Sequence, residues 1–118
     1  QLDLDPAQLV FIDETWTGFE EAYLAAASTW RETKLFDGAF ARRRIAETLR
    51  EAALFASAKM ARRIVGAAKV ADIESLEPDV RAPAARSVLV AARAVAARWH
   101  DVSSPAELRG TIAQHLLS

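Results

Sequence analysis

Apolar side chains recur every three or four residues along most of the chain. Leu9, Ile12, Trp16, Phe19, Tyr23, Ala26, Ala27 and Trp30 fall into one helical period. Asp5 ahead of Pro6 reads as an N-cap followed by proline at the first helical position, so a first helix is expected to run to about Thr33. Leu35-Phe36-Asp37-Gly38 breaks the period and reads as a turn. A second helix is expected from about Ala39 to Ala68. Ile45, Leu49, Ala52, Ala53, Ala56, Met60 and Ile64 form its face, and Leu54, Phe55, Ala58, Ala61 and Val65 widen that face until the second half is apolar nearly all round. Such a helix is expected to be covered on several sides. Gly66 belongs at or near its end, because glycine inside a helix costs about 1 kcal/mol relative to alanine.

Residues 69–79 read as a loop holding one helical turn, anchored by Val70, Ile73 and Leu76. Pro78 and Pro83 bracket the entry to a third helix ending near Trp99, with Val88, Ala92, Val95 and Trp99 on its face and Leu89 and Ala96 beside it. Ser104-Pro105-Ala106-Glu107 is a capping box with proline at the first helical position, and it opens a fourth helix through Leu117. There is no alternating strand pattern, internal repeat or low-complexity tract. The expected fold is all-α, a four-helix arrangement forming a single helical (sub)domain over residues 1–118.

Composition narrows the function. About one residue in five is Ala, which favours helix throughout. Hydrophobic residues make up 52% and charged residues 26%, so the chain is expected to fold. A net charge of −1 gives no basic footprint for nucleic acid. The absence of Cys excludes a disulfide framework and thiolate metal sites, which fits a cytoplasmic protein. No apolar run reaches the length of a membrane span, and the opening QLDLDP has neither the basic region nor the apolar core of a signal peptide.

The sharpest chemical signal is Arg62-Arg63 at the end of the apolar second helix. Two readings stand side by side. Arginines in a last turn complement the helix dipole and bond its free carbonyls. Alternatively, planar guanidinium forks hold an anion or a polyol. Neighbours on a helix diverge by about 100°, so one could enter a pocket while the other braces the loop, or both could fork around a ligand. Arg42-Arg43-Arg44 reads as a solvated face on which Arg43 pairs weakly with Glu47. His100 and His115 lack metal-ligand spacing, and Ser57 and Ser87 read as packing residues. A strand ending in Phe11-Ile12-Asp13-Glu14 would offer a metal-binding Asp, but the flanks are helical, which leaves Asp13 and Glu14 on a solvated face. The tryptophans and phenylalanines sit at core spacing, not as a stacking platform for bases.

Residues 55–76, FASAKMARRIVGAAKVADIESL, resemble the C-terminal helical part of methylthioribose kinases. The shared pattern is a small-residue helix, an Arg-Arg pair followed by Ile-Val-Gly, an Ala-x-Val-x-Asp loop and a helix opening on Arg81-Ala82. The region with Trp16, Phe19, Trp30 and Leu35-Phe36 is similar more loosely. The resemblance implies a protein-kinase-like fold related to choline kinases and aminoglycoside phosphotransferases. It implies an enzyme that transfers the γ-phosphoryl of ATP, with Mg²⁺, to the anomeric hydroxyl of S-methyl-5-thioribose in methionine salvage. It assigns Arg62 and Arg63 to binding that sugar and the transferred group. The family's loop commonly has His where this chain has Lys69.

The chain has no Gly-rich loop, strand Lys, catalytic-loop Asp with its Asn, or Asp-Phe-Gly-like metal site. It is therefore expected to be part of a larger kinase that supplies the ATP and Mg²⁺ sites, to hold no catalytic, cofactor or metal residue itself, and to be inactive alone. Apolar surface meant for the missing part is expected to promote self-association. Two alternatives remain: a free-standing helical interaction or dimerisation module, and the same subdomain of a related kinase acting on an amino alcohol or an aminoglycoside.

Overall fold

The computed structural model describes residues 6–30, 37–65 and 71–116, and within these every regular element is helical. The elements are α1 (Pro6–Ala27), α2 (Gly38–Val65), the single turn α3 (Ala71–Glu74), α4 (Pro78–Arg98) and α5 (Pro105–Leu116), with a 3₁₀ turn at Trp99–Asp101 between the last two. The fold is all-α with four long helices. Expectations for Thr33, Leu35-Phe36, Gly66, Ala67, Ala68, Lys69, Val70 and Leu117 fall outside the described residues.

Local chemistry explains where the helices start and stop. Asp37 caps α2: its Oδ1 accepts from the Phe40 amide at 2.9 Å and its carbonyl accepts from the Ala41 amide at 3.0 Å. α1 stops at Ala27, short of the expected end near Thr33. The Ser28 and Thr29 hydroxyls donate to the carbonyls of Ala25 and Ala26 at 2.6 and 2.7 Å. The amides of Thr29 and Trp30 bond three residues back, which tightens and closes the last turn. At α5 the capping box is shifted by one residue. The Glu107 amide donates to Ser104 Oγ at 3.2 Å, as expected, but the Glu107 carboxylate reaches back to Ser103, accepting from its amide at 3.0 Å and its hydroxyl at 2.7 Å. Those two bonds hold the Glu107 carboxyl below its ordinary pKa.

α2 and α4 make the most extensive contact of any two helices, and α5 packs on both α4 and α1. α2 and α4 run antiparallel: Leu49 and Ala53 share a core cluster with Val95, while Met60 and Ile64 meet Val88 further along. Val102, Leu108 and Ile112 complete the cluster, and Leu9, Ile12 and Trp16 of α1 lie against it. The molecule is a rod of 59 × 24 × 23 Å with a radius of gyration of 17.1 Å. A compact chain of this length would have a radius of gyration of about 13–14 Å.

A rod this thin leaves surface uncovered. The buried positions of α2 are Ala41, Ile45, Leu49, Ala53 and Ser57, every fourth residue. Such a row is inclined to the helix axis by roughly 26°, so the contact with α4 crosses α2 diagonally and never wraps it. The expectation that the second half of α2 is covered on several sides is therefore wrong: Leu54, Phe55, Ala58 and Val65 are exposed. On α4 the buried set is Ala84, Ala91, Ala92 and Val95, with Ala96 exposed. The alanines at the α2–α4 contact let the two backbones approach closely.

Two ion pairs also depart from expectation. Glu47 pairs with Arg44 one turn before it, not with Arg43. Arg43 instead stands 5.7 Å over the Phe40 ring. Asp13 does not stay on a solvated face. Its carboxylate lies 2.6 Å from Arg109 Nε and ties α1 to α5, though that N–H is not aligned for a hydrogen bond. The aromatic residues form a ladder of ring contacts, Trp16–Phe19–Tyr23–Trp30–Phe40, at 5.0 to 6.1 Å. It runs along α1 and on to the first turn of α2.

Candidate functional site

The C-terminal third of α2 carries Lys59, Arg62 and Arg63 with no carboxylate among them. Lys59 and Arg63 are four residues apart and so share a face. Like charges at that spacing repel on a helix, costing roughly 0.2–0.5 kcal/mol. No hydrogen bond or ion pair to the described residues compensates either side chain. Both arginines lie in the last turn, where they complement the helix dipole.

Below Lys59 and Arg63 lies a groove of about 330 Å³ between α2, α3 and α4. Met60, Ile64, Ile73 and Val88 form its floor, and Lys59 and Arg63 stand at its rim. Each wall has a sequence reason. Met60 and Ile64 are the last members of the α2 period, one turn beyond Ser57. Ser57 is 4% exposed, and its hydroxyl donates to the Leu54 carbonyl at 2.7 Å, so no unpaired polar group interrupts the apolar wall. Ile73, buried, is the apolar anchor of α3. Arg81 closes the turn from α3 into α4: its Nη2 donates to the Leu76 carbonyl at 2.9 Å, with Nε at 3.3 Å. That bond fixes α3 against α4 and so fixes the floor of the groove.

The structure therefore separates the two expected site residues. Arg63 lines the groove. Arg62, one position earlier, is turned about 100° away around the helix and does not line it. Both are exposed. Lys59, Met60, Ile64, Ile73 and Val88 were not among the residues expected at a site. The repulsive Lys59–Arg63 pair on an apolar helix was the signal that could have found Lys59; the contributions of Ile73 and Val88 depend on how three helices meet.

A second concavity of about 390 Å³ lies between α1, α2 and α5, with Phe11, Trp16, Leu49, Ala52, Leu108 and Ile112 in its walls. Its lining is nearly all apolar, and Thr15 and Trp16 are the lining side chains that carry a polar atom. His100 and Asp101 lie 3.6 Å apart at the exposed 3₁₀ turn, away from both concavities. Among the described residues no group of three or more His, Cys, Asp or Glu side chains is placed to hold a metal ion. Among them, too, no helix is long and apolar enough to cross a membrane.

The first groove can hold a small molecule with an apolar end and an anionic or hydroxyl-rich end. The second is suited to apolar surface. Comparison with known proteins adds no relative: no family model, curated protein or solved structure matches the chain.

Proposed function

We propose that this chain is the acceptor-binding helical part of a small-molecule kinase of the methylthioribose kinase type. In this reading the α2–α3–α4 groove receives S-methyl-5-thioribose. The methylthio group lies on the floor of Met60, Ile64, Ile73 and Val88. Arg63, assisted by Lys59, faces the sugar hydroxyls and the incoming phosphoryl group. Arg62 acts from the edge by lowering the local potential for negative charge. Phosphoryl transfer depends mainly on positioning and charge stabilisation, and guanidinium groups supply both. ATP and Mg²⁺ belong to the parent enzyme, outside this chain.

The observation that carries the reading is Arg63 at the rim of an apolar-floored groove, without a partner among the described residues. A cation whose only task is to finish a helix needs no cavity beside it. The resemblance of residues 55–76 to that family's pattern is in keeping with the same reading.

The test is steady-state kinetics in the full-length parent. Arg63→Ala should raise KM for S-methyl-5-thioribose or lower kcat, with KM for ATP unchanged. Arg62→Ala should have the smaller effect. A parent with no activity on S-methyl-5-thioribose, or one whose kinetics are untouched by Arg63→Ala, would remove the assignment. If the parent were active only on an amino alcohol or an aminoglycoside, the groove would remain an acceptor site with a different acceptor.

One observation favours the reading as a helical interaction module. Phe11 is 63% exposed at the apolar α1–α2–α5 concavity. In the kinase reading that face lies against the remainder of the enzyme. In the module reading it meets a separate protein.

A further inference from the structure

We infer that the α2–α3–α4 groove selects its ligand by charge. It takes a phosphate monoester carrying an apolar group in preference to an uncharged acceptor, it disfavours a cationic one, and Lys59 is the discriminating residue. The inference rests on the acceptor-site reading above for the place, but not for the identity of the sugar.

The lining carries two cations and no carboxylate: Lys59 and Arg63 stand over Met60, Ile64, Ile73 and Val88. Other charges near the groove leave that balance unchanged. Arg62 is turned about 100° away around α2. Arg81 is held by the Leu76 carbonyl at the turn from α3 into α4. Glu74 of α3 and Arg86 of α4 are exposed and do not line the groove.

Lys59 and Arg63 stand one turn apart, about 6 Å along the axis of α2, and repel each other. A ligand with hydroxyls alone leaves that repulsion in place. A cationic ligand adds a third like charge. A phosphate monoester removes it, because its three terminal oxygens can accept from the ammonium and the guanidinium together. The apolar substituent then covers the floor. Arg63 by itself can donate to a hydroxyl, so the second charge gains only against an anion, and Lys59 is the residue that separates the classes. In the kinase reading, the phosphorylated acceptor is held more tightly than the acceptor, and amino alcohols and aminoglycosides are disfavoured.

The test is binding to this chain, followed by amide chemical shifts. Benzyl phosphate, benzyl alcohol and benzylammonium share one apolar group and differ in charge. Benzyl phosphate should shift the amides of Met60, Ile64, Ile73 and Val88 and bind at least about tenfold more tightly than benzyl alcohol. Benzylammonium should bind more weakly still. Inorganic phosphate, which has nothing to lay on the floor, should bind about tenfold more weakly than benzyl phosphate. Lys59→Gln places a good helix former at an exposed position, so helicity should hold. It should weaken benzyl phosphate about tenfold and leave benzyl alcohol unchanged. Any of four results overturns the inference: no binding of benzyl phosphate, a flat or reversed order among the three benzyl probes, inorganic phosphate as tight as benzyl phosphate, or Lys59→Gln without effect. The acceptor assignment fails separately. A parent that turns over S-methyl-5-thioribose while this chain shows no charge preference sinks the present inference alone. The preference in a chain whose parent ignores that sugar removes the sugar and keeps the charge selection.

Discussion

The start of α5 and the end of α2 both concentrate charge and polar groups at a helix terminus, yet they are built on opposite plans. At α5 every participant has a local partner. Glu107 accepts two bonds from Ser103, Ser104 accepts from the Glu107 amide, and the carboxylate pKa is lowered in consequence. At α2 three cations stand together. None has a side-chain partner among the described residues, and two of them flank an apolar groove. A charge consumed by its own helix end is structural. A charge left uncompensated beside a cavity is available to something else. The contrast turns on partners, because dipole complementarity applies equally to both ends.

The largest expected effect falls on both regions together. Leu49→Ala removes a side chain from the cluster that joins α2, α4 and α5, and should cost about 3 kcal/mol, read as a lower urea midpoint. Were that loss confined to one end of the rod in hydrogen exchange, the two regions would not share a core.

Arg63→Ala should separate the regions. If the chain serves as proposed, affinity for S-methyl-5-thioribose in the parent should fall about tenfold, the size expected for one charge-assisted contact, with the unfolding midpoint of this chain unchanged. Ser104→Ala should do the reverse, lowering stability by about 1 kcal/mol through loss of an N-cap and leaving acceptor binding alone. If Arg63→Ala instead destabilised the chain as a cap mutant does, the α2 end would be structural after all.

The smallest effect is a pH dependence. Glu107 has a lowered pKa in the folded state, so its contribution is fully present above the ordinary glutamate value of about 4.3. It is lost as pH falls through the lowered folded value. Glu107→Gln should flatten that part of an acid titration followed by circular dichroism, and Arg63→Ala should not.

Much of the fold was legible because helical period and capping chemistry are local. The Asp37-Gly38 turn, Pro78 and the Ser104–Glu107 box each lie within a residue or two of a helix start. The end of α1 was missed because Ser28 and Thr29 compete for backbone carbonyls, and an apolar period that continues through Trp30 masks that competition. The exposure of Leu54, Phe55 and Val65 was missed for a different reason. Periodicity reports which residues are apolar, while the diagonal crossing of α2 and α4 decides which of them are covered. The Asp13–Arg109 pair links residues far apart in the chain, and no local rule could supply it. The sequence singles out Arg62 and Arg63 alike at the end of an apolar run, and of the two only Arg63 lines the groove. Its separation from Arg62 follows from helical geometry. The groove floor required three helices to meet.

The aromatic ladder has an optical consequence. The single tyrosine, Tyr23, stands with its ring centroid 5.7 Å from Phe19 and 5.8 Å from Trp30, edge-on to the indole. At that range its excitation passes to the indole before it can radiate, so the native protein should emit as tryptophan alone. Because both neighbouring indoles, Trp16 and Trp30, lie on or just after α1 with Tyr23, a tyrosine band that reappears on heating would mark the unwinding of the end of α1 itself.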